Sequence, residues 1–570
     1  MKTRDRHRQA AIAPWIAGPR VLVVGHDLGV RQALEIVAAE ALPDVRIDVL
    51  TYGRGASAEE IPDRVWPLSL PDLSGSSPAR LLAVGRFAFH LWTRRYAAVV
   101  IAQPALRRSR MRALFYAFPF LIGSRCSFIF DTERATVEQG PSPTRAAADM
   151  IAWLVLRALS NVLSPPATAL VNWRARATER VPRPLPPDGR VVYLRTDIAL
   201  ADAPLTAGGS LAHTEGIVKA LLGRGYAVDV WSTGTMAGLP SSAELRKLPV
   251  VHVANVADEI RELISGLLQA AVARRPPDIA FVYQRYSLNN LAGLLLARRW
   301  RVPLVLEANG SEAKWKRQWT VLRFARLSNA CELLLLCHAD RVVAVSDNVL
   351  YDLEEAGMPP GRARVIPNGV DLDRFASAKP HRLPFPPDAF VMGFAGLFYP
   401  WHGIPVLTEA FLELRRLHPQ ARLLMVGDGE QAPRARAALR RGGASDDALF
   451  TGLVSRDAVP GYLAAADVLV SPHMDIENFI GSPIKIFEYM ATGRAIVASR
   501  VAQLETLLID GETALLVSPE DPDELCAALL RLAENPELRE HLGREARHTA
   551  EVEHSWDARL ASILEPDSRK

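Results

Sequence analysis

Along most of the chain, short apolar runs alternate with amphipathic stretches, a pattern that predicts parallel strands linked by helices. One set of strand-like runs falls at 191–194, 227–231, 279–283, 304–307, 342–345 and 365–367. A second falls at 391–395, 423–426, 449–453, 468–471, 495–498 and 514–517, beyond a Pro-containing stretch at 377–388 that reads as a hinge. Two doubly wound halves follow from this order, and such sheets bind ligands at the carboxyl ends of their strands, here in the cleft between halves.

Before residue 190 the runs are sparser. Those at 20–25, 45–50, 97–102 and 126–131 predict an additional small α/β domain. Prolines at 182, 184, 186 and 187 make 181–189 a stiff extended linker. The expected organisation is therefore an N-terminal domain over 1–180, the linker, one half over 190–380 and another over 381–570. An apolar stretch at 151–173 contains Arg157, Asn161 and the Pro165–Pro166 pair. It reads as a buried helix and turn, or as a helix lying on a membrane surface, in preference to a span, because no eighteen residues are free of charge.

Composition adds two constraints. The chain has 570 residues and is 49% hydrophobic, enough for several packed cores. Its cysteines, Cys126, Cys331, Cys337 and Cys526, lack metal-ligand or disulfide-framework spacing, and no leader pattern opens the chain. A reducing, cytoplasmic protein is expected, peripheral at an inner membrane. The net charge of +4 conceals an asymmetry: residues 1–190 carry 26 Lys and Arg against 16 Asp and Glu, net +10. Because Arg94, Arg95, Arg107, Arg108, Arg110 and Arg112 lie beside apolar aromatic runs, an anionic membrane surface fits this excess better than nucleic acid.

The segment Phe479-Ile-Gly-Ser-Pro-Ile-Lys-Ile-Phe-Glu-Tyr-Met490 carries the most chemistry. Ser482 suits an N-cap and Pro483 a first helical position, while Ile484, Phe487 and Met490 share one face. Gly481 permits close backbone approach, so the helix start offers free N–H groups and the positive end of a dipole to a diphosphate. Lys485 and Glu488 share a face, one matched to phosphate and the other to sugar hydroxyls.

This segment, continuing through Gly493-Arg-Ala-Ile-Val-Ala-Ser499, resembles the donor site of the retaining glycosyltransferases of family four, which have the GT-B fold. Val365-Ile-Pro-Asn-Gly-Val-Asp-Leu-Asp-Arg-Phe375, Phe394-Ala-Gly-Leu-Phe-Tyr-Pro-Trp-His-Gly403, Leu423-Leu-Met-Val-Gly-Asp-Gly429 and Phe450-Thr-Gly-Leu453 follow the family in order. The resemblance implies two Rossmann-like domains facing a cleft, a nucleotide-sugar donor, and transfer with retention to a lipid-linked, polysaccharide or small-molecule acceptor. It also implies a ribose contact for Glu488 and a place for Leu453 in the donor site. Gly208-Gly-Ser-Leu-Ala-His213 resembles the glycine-rich loop that closes over the donor phosphates, bringing Gly208, Gly209 and His213 to the site. Glu307, Asn309 and Arg285, at strand ends, are candidates for sugar or acceptor.

Two departures stand out. Where many relatives have the first of two glutamates spaced by seven residues, this chain has Ile480, and an Arg and a Lys of the first donor-half loop are replaced by Leu397 and His402. Losing two charge-assisted contacts of about 1.5–3 kcal/mol each would slow turnover roughly 10²–10⁴-fold. A substitute cation is therefore expected: Lys485 first, His402 second, with His473 and Arg285 behind them. No cofactor is expected and no metal, since Asp371-Leu-Asp373 falls in a turn of the interdomain segment. A module that binds nucleotide sugars without turnover is the alternative.

Overall fold

Each predicted set of apolar runs forms a sheet in the computed structural model, and all three sheets share one strand order. The structure describes residues 20–25, 46–51, 65–68, 91, 96, 98–103, 112–121, 124, 126–131, 136–139, 141–176, 182–201, 205, 208–253, 256–319, 322–475 and 482–565. These divide into two compact units, one comprising the chain up to Pro166 with Val251–Arg261, the other Ala167–Val250 with Glu262–Lys570.

The first unit contains β1 (Arg20–Gly25), β2 (Arg46–Thr51), β3 (Val65–Leu68), β4 (Ala98–Gln103), β5 (Cys126–Asp131) and β6 (Thr136–Gln139), ordered β3-β2-β1-β4-β5-β6. Only β6 runs antiparallel. Short β3 and β6 lie at the two edges; β3 is a four-residue run that includes Pro67, and β6 is largely polar.

The second unit holds two sheets. One has β7 (Arg190–Arg195), β8 (Ala227–Ser232), β9 (Glu244–Lys247), β10 (Ile279–Arg285), β11 (Leu304–Ala308), β12 (Arg341–Ala344) and β13 (Ala363–Val365), in the order β13-β12-β11-β10-β7-β8-β9. The other has β14 (Phe390–Ala395), β15 (Ala421–Val426), β16 (Ala448–Gly452), β17 (Val468–Ser471), β18 (Ala495–Ser499) and β19 (Leu515–Val517), in the order β16-β15-β14-β17-β18-β19. All pairings in both are parallel. Helices cover both faces, which explains why the strands read as unbroken apolar runs: Met392 and Phe394 enter one core, Val391 and Ala395 the other. In each sheet the order reverses beside the first strand, between β7 and β10 and between β14 and β17, placing a ligand crevice at those carboxyl ends.

Two expectations change, and the stiff linker gains its contacts. The last helix, Trp556–Leu564, lies beyond residue 381 yet packs on the first half, where Trp556, Leu560 and Ile563 join the core of Val191, Tyr193 and Leu211. Gly216 allows that docking, since a Cβ there would lie 2.2 Å from the Trp556 ring. The linker is pinned: the Arg183 guanidinium donates to Asp340 at 3.1 and 3.0 Å, and the Tyr226 hydroxyl donates to the Pro186 carbonyl at 2.7 Å. Finally, the 151–173 stretch is neither buried nor broken by a turn. It belongs to one helix, Pro143–Arg176, with Pro165 and Pro166 inside it and Ile151, Val155, Val162 and Leu170 all more than half exposed. By length and composition alone that helix could cross a bilayer.

Candidate active site

The strand ends of the second unit converge on a cavity of about 470 Å³. Arg285 closes β10, Asn309 follows β11, Gly396 follows β14, Gly427 follows β15 and Leu453 follows β16, and all five line it. Two helices begin at the same cavity without a side-chain cap, Gly209–Gly223 and Ile484–Thr492. Uncapped starts leave N–H donors and the positive dipole end available to an anion.

Gly208 makes the first start possible by adopting φ 90° and ψ 173°, a conformation reserved for glycine. A Cβ on Gly209 would meet Ile484 at 3.6 Å, so the glycine-rich loop lies against the first turn of the second helix. Pro483, not Ser482, occupies the cap position of that helix. The Ser482 hydroxyl is taken by Asn368, whose backbone N–H donates to it at 3.0 Å while Asn368 Nδ2 donates to the Ser482 carbonyl at 2.6 Å. The interdomain connection thus fixes where the helix begins. Ser482, Pro483, Lys485 and Glu488 all line the cavity. Gly481, like Ile480, lies outside the described residues.

Of the four candidate cations, two line the cavity with a nitrogen left without a partner among the described residues, Arg285 through Nη1 and Lys485. The Lys485 Nζ is enclosed and lies 4.5 Å from the centre of the Phe394 ring. Burial lowers its pKa to about 7, against the pull of Glu488. His402 instead donates from Nδ1 to the Leu397 carbonyl, and burial followed by the nearby Lys485 charge lowers it to about 3. His473, hydrogen-bonded to Ser471 at 2.9 Å, is pushed well below the imidazole range, first by burial and then by Lys485. Burial and the Lys485 charge thus disfavour the imidazolium form at both histidines.

The expectation that Glu307 contacts sugar or acceptor gives way to a different arrangement. Glu307 is 1% exposed and sits behind His213. His213 Nε2 lies 2.8 Å from Glu307 Oε1, Asn309 Nδ2 donates to the same oxygen at 3.0 Å, and the Tyr283 hydroxyl donates to Oε2. Burial raises the Glu307 carboxyl, but the hydrogen bonds from His213 and Tyr283 and the Arg285 charge outweigh it and hold the carboxyl below the ordinary carboxylate range. Burial in turn lowers His213, so its imidazole is neutral. A carboxylate facing Nε2 requires the proton there, which leaves Nδ1 as an acceptor; Nδ1 is buried without a partner among the described residues.

Comparison with known proteins follows this geometry. The family model described as "Glycosyltransferase Family 4" matches residues 207–374, and the one described as "Glycosyl transferases group 1" matches 389–535. The C-terminal two-thirds of the chain belongs to glycosyltransferase family four. Curated relatives include the D-inositol 3-phosphate glycosyltransferase of Kribbella flavida, 29% identical over 67% of this chain and 96% of its own length. The Thermomonospora curvata protein of the same name is 28% identical over 66% and 95%. Among solved structures, sucrose-phosphate synthase from Thermosynechococcus elongatus aligns over 66% of this chain and 97% of its own, with a TM-score of 0.52 at 22% identity. Anabaena HepE in complex with UDP and glucose aligns over 66% and 99%, with a TM-score of 0.50 at 19% identity. Both share the GT-B fold seen here.

The transferase has two site residues that sequence reasoning passed over. Arg374 and Arg456 line the cavity, and both act on Glu488, whose carboxyl burial raises and their charges pull down. Each also reaches Glu215 on the glycine-rich-loop helix, Arg456 through Nη1 and Arg374 through Nη2 at 3.4 Å, and the Arg456 pair bridges the two halves. Arg374 stood inside the quoted interdomain motif and Arg456 three residues after Leu453, but neither spacing marked a site. The Asp371-Leu-Asp373 string is structural: Asp371 caps the helix Leu372–Ala376 and pairs with Lys219.

Proposed function

We propose that this nucleotide-sugar-dependent glycosyltransferase moves a hexose, with retention of anomeric configuration and without a metal, to a hydroxyl of a glycan or lipid-linked glycan on the cytoplasmic side of a membrane. One observation carries the reading. Arg285 Nη1, Arg374 Nη1 and Lys485 Nζ are enclosed donors without partners among the described residues, and all three belong to one cavity that also receives two uncapped helix starts. A diphosphate would meet three cations and two positive dipole ends, which stabilise the charge that builds on it as the sugar–phosphate bond breaks.

Retention is supported by the chemistry of the lining. Among the described lining residues Glu488 is the single carboxylate, and it faces Arg456 and Arg374 where a ribose would sit. A double displacement through an enzyme carboxylate needs another near the anomeric carbon. Attack from the leaving-group face instead lets a diphosphate oxygen take the acceptor proton. Lys485, Arg285 and Arg374 supply the charge that a divalent ion would otherwise bring. For the acceptor, Tyr399 and Trp401 stack at 4.6 Å and 18°, and with Trp315 they line the cavity as apolar plates suited to a pyranose face.

The test is incubation with labelled nucleotide sugars and two acceptor classes, oligosaccharides and D-inositol 3-phosphate, the compound in the relatives' name. Transfer to a glycan with the donor's anomeric configuration, unchanged by chelator, is expected. Inverted product, activity restored to chelated enzyme by a divalent ion, or transfer to D-inositol 3-phosphate alone each rejects the corresponding part.

A further inference from the structure

The helix Pro143–Arg176 lies before either matched family region and takes no part in donor chemistry. Its faces are distributed the wrong way round for water. Ile151, Val155, Leu159, Val162, Leu170 and Trp173 recur at helical spacing on one face, and each is between 51% and 69% exposed. Its less exposed residues are mixed: Trp153, Leu156, Ser160, Ser164 and Val171 are partly buried and Ala175 is buried. A soluble protein gains nothing by directing such an aliphatic stripe outward, and exposed patches of this extent mark interaction surfaces.

From this we infer that Pro143–Arg176 lies in the plane of an anionic phospholipid bilayer, its exposed stripe among the acyl chains. Charge favours lipid: the helix has Arg145, Arg157, Arg174 and Arg176 against Asp149 alone, and all four arginines are exposed. Arg157 stacks over Trp153 at 4.8 Å and Arg174 over Trp173 at 5.1 Å, placing cation and indole together as at a headgroup boundary. Leu154 and Leu163, also exposed, flank the stripe, so the apolar arc is wider than the narrow seam a partner helix takes. A crossing helix would bury Arg157, Asn161, Ser164 and Asn172 in hydrocarbon, whereas an in-plane helix leaves them at headgroup level.

Flotation of the full chain with preformed vesicles of phosphatidylcholine, with and without phosphatidylglycerol, tests this. Binding is expected only with phosphatidylglycerol, with release by alkaline carbonate. Leu159→Glu combined with Val162→Glu should abolish it while leaving thermal stability and nucleotide binding intact, because both side chains are exposed. Arg174→Ala with Arg176→Ala should weaken it about thirtyfold. Flotation of the Glu variant like wild type, or resistance to carbonate, overturns the assignment. So does light scattering that shows a dimer split by the Glu variant without lipid binding. Donor-site readouts are separate, so failure here leaves the transfer chemistry standing.

Discussion

Replacing Lys485 with Met should make the protein more stable and less active at once. The Lys485 ammonium is held at about pKa 7 instead of 10.5, and at ~1.36 kcal/mol per unit that displacement costs up to about 5 kcal/mol. The open cavity beside the side chain and the Phe394 contact, worth about 0.5–2 kcal/mol, reduce the net gain on removal to a few kcal/mol. Because the folded state binds the proton less tightly, the penalty is fully present below pH 7 and disappears as pH rises toward 10.5. Lys485→Met should therefore melt higher than wild type at pH 6.5, the difference closing by about pH 10. Turnover should fall about 10–10²-fold, the worth of one charge-assisted contact. In wild type, kcat/KM should decline above about pH 7 as the free enzyme loses this charge, and nucleoside diphosphate binding at pH 8 should take up about 0.9 proton. Calorimetry in two buffers of different ionisation enthalpy measures that uptake. No uptake, together with a Lys485→Met variant less stable than wild type at pH 6.5, would refute the reasoning.

Other substitutions separate the roles of neighbouring residues. Glu488→Ala should raise the donor KM about 10–10²-fold through loss of a charged hydrogen-bond acceptor, and an unchanged KM would remove Glu488 from the donor site. Glu307→Gln should lower kcat about tenfold with donor affinity retained, because His213 loses the carboxylate that fixes its tautomer; a shift confined to thermal stability would leave Glu307 purely structural. Gly216→Ala puts a methyl 2.2 Å from the Trp556 ring and should destabilise by about 1–3 kcal/mol, read as a lower melting temperature; an unchanged one would contradict the docking of the last helix.

The two catalytic sheets were legible because strands buried on both faces are continuous apolar runs between helical stretches, and β7 through β19 fall almost where those runs do. The one strand missed there, Glu244–Lys247, is an exposed edge whose polar residues carry no such signal. The return of Trp556–Leu564 to the first half leaves no local trace either, since any amphipathic helix reads alike wherever it docks. The same limit applies to Pro143–Arg176: periodicity identifies an apolar stripe but not what covers it. In the site, Lys485 was legible from its spacing to Pro483 and Glu488. His402 and His473 misled because an imidazole's charge is set by burial, which sequence does not show. Arg374 and Arg456 were missed because the carboxylates they meet, Glu488 and Glu215, lie far from them in sequence.

A thermal-shift panel of nucleoside diphosphates, each beside its parent nucleoside, tests most directly whether Lys485 and the arginines hold a diphosphate. One diphosphate should raise the melting temperature of wild type at pH 6.5, its nucleoside should not, and the shift should collapse in Lys485→Met. Equal shifts from nucleoside and diphosphate, or an undiminished shift in the variant, would contradict the account.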